Sequence, residues 1–301
     1  MKHPFFSRNG LLTLLVTATM LTCGLSCQQG GSKSQETTSR GTINISVDES
    51  FKPIIDSQIR VFEASFPEAK IIAHYKPEAE CLRDLANDSI RMVIVTRELN
   101  REEIDYYKSS IGYVPAMGLL AYDAVTVIAN NKSKDSIFSM TDLRAILSGS
   151  RSDLKVVMDG LSATSTVRYA VDSVLRGQPI GKNVVAAKSS QGVIDYVSNN
   201  ADAIGFIGVS WIANPEDTTH LSFLQKVNIA SLQCGICTNE TYVKPYQANI
   251  ATRRYPMVRG LHYIVKENFR GVGSGFVNFL QYERGQLIFR RAYLWPARME
   301  F

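Results

Sequence analysis

The chain lacks any apolar run long enough to cross a bilayer. Its most apolar stretch near the start, Leu11 to Leu21, is about 11 residues long and carries threonines, whereas a spanning helix needs about 20. It also lacks blocks of like charge. Its 33 basic and 28 acidic residues are spread along the sequence for a formal charge of +5, which gives nucleic-acid binding little support. There is no internal repeat, and no low-complexity tract beyond one short polar stretch. His74, His220 and His262 stand apart without the pairing a metal site needs, so neither metal nor cofactor is expected. No Gly-X-Ser-X-Gly elbow or other nucleophile–base signature occurs, so the reading is not an enzyme. Cys234-Gly235-Ile236-Cys237 has no second pair and no thioredoxin-like context; it reads as a local disulfide or two small hydrophobes. Gly271-Val272-Gly273-Ser274-Gly275 does not fit a phosphate loop and reads as a turn before a helix. Arg253-Arg254, Arg290-Arg291 and Arg298 read as solvated faces or ion pairs, with a partner surface as the alternative.

What is present begins with a targeting segment. Lys2 and Arg8 precede the short apolar stretch, and Leu25-Ser26-Cys27 closes it, the order of a secretory signal. A Leu, a small residue and then Cys resembles the bacterial lipobox, with Gly24 a departure from its usual Leu. The resemblance makes Cys27 the lipidated residue, ahead of Cys23, and residues 1–27 a lipoprotein signal peptide. Loss of Lys2 and Arg8 takes the mature charge from +5 to about +3. Residues 28–41 are polar and read as a flexible tether.

The remainder is long enough for two lobes of ordinary domain size. Ile43, Ile45 and Val47 alternate as a strand, and the apolar residues from Phe51 to Phe66 recur at helical spacing, with Pro53 in the first turn. Strand and helix then alternate: strands near 70–73, 92–95, 121–130, 155–158, 203–207 and 263–265, and helices over 78–87, 101–108, 140–147, 164–175, 191–198, 275–282 and 285–292. This indicates an α/β fold with a mainly parallel sheet. The strand at Ala121–Asn130 is long enough to pass from one lobe to the other. The segment 211–244 shows no clear period.

Three strand-to-helix turns carry short hydroxyls: Asp48-Glu49-Ser50, Thr96-Arg97 and Ser162-Ala163-Thr164-Ser165-Thr166. Ligands of open α/β sheets sit outside the carboxyl ends of the strands, where helix N-termini and hydroxyls suit an anion. Each turn taken alone also suits helix capping.

The Ser162–Thr166 loop is similar to the Ser-Gly-Thr-Thr loop of periplasmic phosphate-binding proteins. Gln191–Val197 followed by Ala203-Ile204-Gly205-Phe206-Ile207 resembles that family's helix and Ala-Ile-Gly-Tyr strand. Tyr255-Pro256, Gly275–Leu280 and Gly285-Gln286 resemble its C-terminal part. The resemblance implies a periplasmic-binding-protein fold of two lobes, each a mainly parallel sheet flanked by helices, with the anion in the cleft between them. It divides the chain into lobe 1 (42–122 and 211–301) and lobe 2 (123–210). It implies a lipid-anchored, extracytoplasmic, monomeric protein that captures phosphate or a related oxyanion for an ABC importer permease; the alternative is an envelope protein of the same fold that senses an anion or docks a partner. Carried over by motif, the ligand-binding residues are Ser50, Phe51, Ser162, Ala163, Thr164 and Ser165, with Ala163 in place of the family's glycine. The family's arginine falls at Met158 and its acid at Arg97. Arg97 is therefore expected to supply the positive charge, leaving no proton acceptor at that point.

Overall fold

The structure is a computed structural model that describes residues 36–214 and 218–298. The signal peptide, Cys27 and residues 28–35 of the expected tether lie outside the described residues. Residues 36–41 depart from the tether reading. Arg91 donates to both carboxylate oxygens of Glu36 at 2.7 and 3.0 Å, and the Val272 N–H donates to Glu36 at 3.0 Å. Three charge-assisted bonds fix this segment against the fold.

The strands are β1 (Arg40–Asp48), β2 (Glu68–Lys76), β3 (Ile90–Val95), β4 (Ala116–Asn130), β5 (Ile137–Phe138), β6 (Lys155–Met158), β7 (Val184–Ala186), β8 (Ala203–Gly208), β9 (Val227–Ile229), β10 (Ser231–Gln233), β11 (Tyr242–Val243), β12 (Val258–Val265) and β13 (Trp295–Pro296). The helices are α1 (Lys52–Ser65), α2 (Glu78–Asp84), α3 (Arg101–Ile111), α4 (Met140–Ser148), α5 (Ser165–Tyr169, continued by a π turn over Ala170–Val174), α6 (Ser190–Asn199), α7 (Thr218–Leu224), α8 (Gln247–Ala251), α9 (Val272–Gln281) and α10 (Glu283–Arg291).

The main path of the large sheet runs β2-β1-β3-β12-β4-β8-β6-β7. Its outer pairings are parallel, as strand–helix alternation requires. The central pairings, through β12 and β4, are antiparallel. β4 spans both groups of strands. Its first half pairs with β12 from Ala116 to Ala124, and its second half pairs with β8 from Val125 to Ala129. A run of 15 residues makes this possible. Segment 227–243, which shows no period in the sequence, forms strands of two or three residues, too short to display one. β9 pairs with the end of β4 in the large sheet, whereas β10 pairs with β5 and β11 in a separate three-stranded sheet. Cys234 and Cys237 form a disulfide, and Cys81 is a buried free thiol.

Helices cover the sheet with their apolar faces. Ile54, Ile55 and Phe62 of α1 are fully buried, and Phe62 meets Phe276 and Phe279 of α9 at 5.2 and 5.5 Å between ring centroids. α6 packs so tightly on β8 that a Cβ at Gly205 would lie 2.5 Å from Val193 Cγ1. The glycine-rich run at 271–275 opens α9, where the Gly273 and Ser274 N–H groups donate to Glu267 at 3.1 and 2.8 Å.

Candidate functional site

β1 and β6, each paired in parallel with its own neighbours, have carboxyl ends that lead into capped turns. After β1, the Asp48 carboxylate accepts from the Ser50 N–H at 3.0 Å and shapes a single 3-10 turn over Glu49–Phe51. After β6, Asp159 begins a loop that ends at Thr164. Thr164 is the N-cap of α5, accepting from the Val167 N–H at 3.3 Å. These two turns meet. Ser50 Oγ lies 3.3 Å from Asp159 Oδ2, and 3.4 Å from both Ser165 Oγ and Thr166 Oγ1. Asp159 also accepts from Thr164 Oγ1 at 2.9 Å and Thr166 Oγ1 at 3.3 Å.

A cation enters this hydroxyl cluster from the sheet. Arg259 on β12 is the direct cross-strand partner of Asp123 on β4. Its Nε donates to Asp123 Oδ2 at 2.8 Å and its Nη1 to Ser165 Oγ at 2.9 Å. The guanidinium lies 5.0 Å from the centroid of the Phe51 ring. Its Nη2 is buried with no acceptor. Gly208 leaves room there, since a Cβ at that position would lie 3.4 Å from Nη2 and 3.3 Å from the Ser50 carbonyl oxygen. A buried, unmet guanidinium donor is costly and marks a place where an acceptor belongs.

The acids around Arg259 are strained by burial. Desolvation pushes the Asp48 carboxyl up to about 7, against the pull of Arg259, and its Oδ2 has no hydrogen-bond partner. Burial also raises Asp123 and Asp159, though Arg259 and the hydroxyls act the other way. Burial opposes the Arg259 charge, but Asp123, Asp48 and Asp159 more than offset it and hold the guanidinium above its ordinary value. Among the described residues, no group of three or more His, Cys, Asp or Glu side chains is arranged to hold a metal ion.

Three contacts clasp the two sides of the cluster. Glu78 of α2 accepts from Arg168 Nε at 2.6 Å and from the Thr96 N–H and hydroxyl at 2.7 and 2.6 Å. The Ala79 N–H donates to the Ala163 carbonyl at 2.9 Å. The Glu49 carboxylate accepts from Ser190 Oγ at 2.9 Å at the start of α6. Outside the Glu78–Arg168 clasp lies a cavity of about 500 Å³, walled by Arg97, Leu161, Ser162, Ala163 and Val171 among others.

The motif-based residues separate into three groups. Ser50, Phe51, Thr164 and Ser165 converge on the buried cluster. Ser162 and Ala163 are exposed on the cavity wall. Ala163 has φ of +69°, the left-handed conformation for which glycine is suited. Arg97 does not face Ser50; its two terminal nitrogens are each 2.7 Å from an oxygen of Glu103, which α3 presents beside it. That bidentate pair uses the planar fork that an oxyanion would need. Sequence reasoning named Thr166 only as part of the hydroxyl loop and missed Arg259, Asp123 and Asp159. One signal for Arg259 and Asp123 was available: Asp123 stands inside an otherwise apolar strand, and a buried acid requires a cation.

The chain is similar in structure to an ABC-type substrate-binding protein from Clostridium perfringens, assigned to phosphate and solved with bound phosphate. The TM-score is 0.70 at 17% identity, covering 86% of this chain and 100% of that one. It is also similar to an ABC-type phosphate transport receptor from Vibrio cholerae, with a TM-score of 0.61 at 17% identity over 84% and 98% of the two chains. PstS from Borrelia burgdorferi gives 0.53 at 19% identity over 86% and 100%. A comparison with curated proteins finds no match. These likenesses establish the two-lobed periplasmic-binding-protein fold. Residues 32–284 match the family model of the PBP superfamily domain, and the chain belongs to that family.

Proposed function

We propose that this protein is an extracytoplasmic solute-binding protein that holds phosphate or a similar oxyanion between two lobes and delivers it to an ABC importer permease. The observation that carries the reading is the buried Arg259 guanidinium, whose Nη2 has no acceptor while its Nη1 donates to Ser165 in the hydroxyl cluster of Ser50, Ser165 and Thr166. Hydrogen bonds to a charged group contribute about 1.5–3 kcal/mol each, so a few suffice for tight capture. Arg259 takes the part that the sequence suggested for Arg97. Asp48 supplies the acceptor that the sequence left missing and, raised to about 7, suits the proton of a monoprotonated phosphate.

The lobes divide along β4. Residues 42–122 with the C-terminal part form one, and 123–210 form the other, extended by the short strands of 227–243 that pair with it. Binding is the proposed role, with hydroxyl and guanidinium donors gathered in one buried cluster. Lipidation at Cys27 anchors the chain outside the cytoplasmic membrane as a monomer; no helix among the described residues is long and apolar enough to cross a bilayer. The reading is tested by calorimetric titration with phosphate, sulfate and molybdate. Heats of binding for at least one of them support it, and none for all of them removes it.

A further inference from the structure

The hydroxyls that would receive a solute are already engaged, and by this chain's own carboxylate. Ser50 Oγ and Thr166 Oγ1 each lie 3.3 Å from Asp159 Oδ2, and Thr164 Oγ1 lies 2.9 Å from Asp159 Oδ1. Ser50 comes from the turn after β1, whereas Thr164, Thr166 and Asp159 come from the loop and helix after β6. One planar anion thus gathers donors from both sides of the cluster, as a bound oxyanion would. Asp159 has no guanidinium partner of its own. Arg259 uses Nε for Asp123 and Nη1 for Ser165. Asp159 is partly exposed, while Ser50, Ser165 and Thr166 are fully buried. It is therefore the least enclosed residue of the cluster.

We propose that Asp159 is an internal occupant of the oxyanion place, holding the cleft closed without solute and competing with the solute for the same hydroxyls. The inference rests on the proposed oxyanion site and adds what limits its affinity. Binding proceeds as the Asp159 carboxylate leaves Ser50, Thr164 and Thr166 and the solute's oxygens replace it. No proton or electron transfer is required. Asp48 and Asp123 add like charge opposite the single Arg259, so expelling an ionised Asp159 also relieves repulsion against an incoming anion.

The test uses the full chain and its Asp159→Ala and Asp159→Asn variants, with two readouts. Calorimetric titration with inorganic phosphate, sulfate and molybdate should show at least about tenfold tighter binding of a bound oxyanion by Asp159→Ala, with Asp159→Asn between it and the wild type. Small-angle scattering of the solute-free proteins should show a larger radius of gyration for Asp159→Ala, because Ser50 and the α5 hydroxyls lose their shared acceptor. Thermal melts confirm that the variants are folded. Equal or weaker binding by a folded Asp159→Ala variant overturns the inference and leaves the proposed function standing. If no oxyanion binds to any form, the proposed function fails, and the scattering decides: expansion of Asp159→Ala keeps Asp159 as the internal closing group, and an unchanged radius overturns it.

Discussion

Arg259 and Asp123 face each other as direct partners across β12 and β4, with Nε 2.8 Å from Oδ2 and side chains 3% and 0% exposed. The pair sits where β4 hands over from β12 to β8, beneath both turns of the site. Removing one member strands a buried charge, which costs about 3–5 kcal/mol, whereas replacing both by apolar groups is often neutral. Arg259→Met alone should therefore lower the unfolding free energy by several kcal/mol, and Arg259→Met with Asp123→Leu should recover most of that. Denaturant unfolding of both variants checks this. A double variant no more stable than the single one contradicts the account of the pair.

Asp48 makes stability depend on pH. Its folded-state carboxyl is raised from 3.8 to about 7, mainly by burial. The folded protein therefore keeps a proton that the unfolded chain releases between those values. Stability falls as pH rises through this window, by on the order of 4 kcal/mol in all. Asp48→Asn keeps an acceptor for the Ser50 N–H and removes the titration. It should be more stable than the wild type at pH 8, with the difference shrinking towards pH 5. Melts across that range measure it; a constant difference counts against the assignment.

Glu78 and Arg168 pair across the two sides of the cluster, with Arg168 Nε 2.6 Å from the Glu78 carboxylate. Glu78 is 2% exposed, and although burial raises its carboxyl, hydrogen bonds and charge from Arg168, with those from Thr96, bring it below the ordinary range. Such a carboxylate stabilises the folded state above the unfolded value near 4.5, and that stability is lost as pH falls through its lowered folded value. Arg168→Gln loosens the clasp without touching the hydroxyl cluster. Solute dissociation followed by stopped flow should be about tenfold faster, with association little changed. Slower association with unaltered dissociation points to a different role.

Gly205 records how closely α6 lies on β8. A Cβ there would sit 2.5 Å from Val193 Cγ1 and 2.9 Å from Val197 Cγ2. Gly205→Ala should destabilise the protein by about 1–3 kcal/mol through overpacking, read as a lowered denaturant midpoint with an unchanged slope.

The strand–turn–helix units were legible where the period was long. Ile43, Ile45 and Val47 alternate, and α1 carries its apolar residues on one face, so Ser50-Phe51 could be placed at a strand end from the sequence alone. The hydroxyl loop was legible as a loop, but its inward-facing members were not. α5 starts at Ser165, which buries Thr164, Ser165 and Thr166 and leaves Ser162 and Ala163 outside. Arg259 was hidden because β12 begins at Val258, five residues before the apolar Tyr263-Ile264-Val265 run that reveals it. A charge and a glycine break the pattern there, and the partner that accommodates the charge is 136 residues away. Arg97 misled for the opposite reason. It stands at the right strand end, but Glu103, six residues on, takes its guanidinium.

In the proposed site the free Nη2 of Arg259 receives an oxyanion. Calorimetric titration of phosphate into the wild type and Arg259→Lys at pH 7.5 tests it most directly. Lysine keeps the charge beside Asp123 but cannot reach Asp123, Ser165 and a solute oxygen with one planar fork. The account predicts a Kd of about 1 μM or tighter for the wild type and at least about a tenfold loss in a folded Arg259→Lys variant. An unchanged Kd in that variant contradicts it.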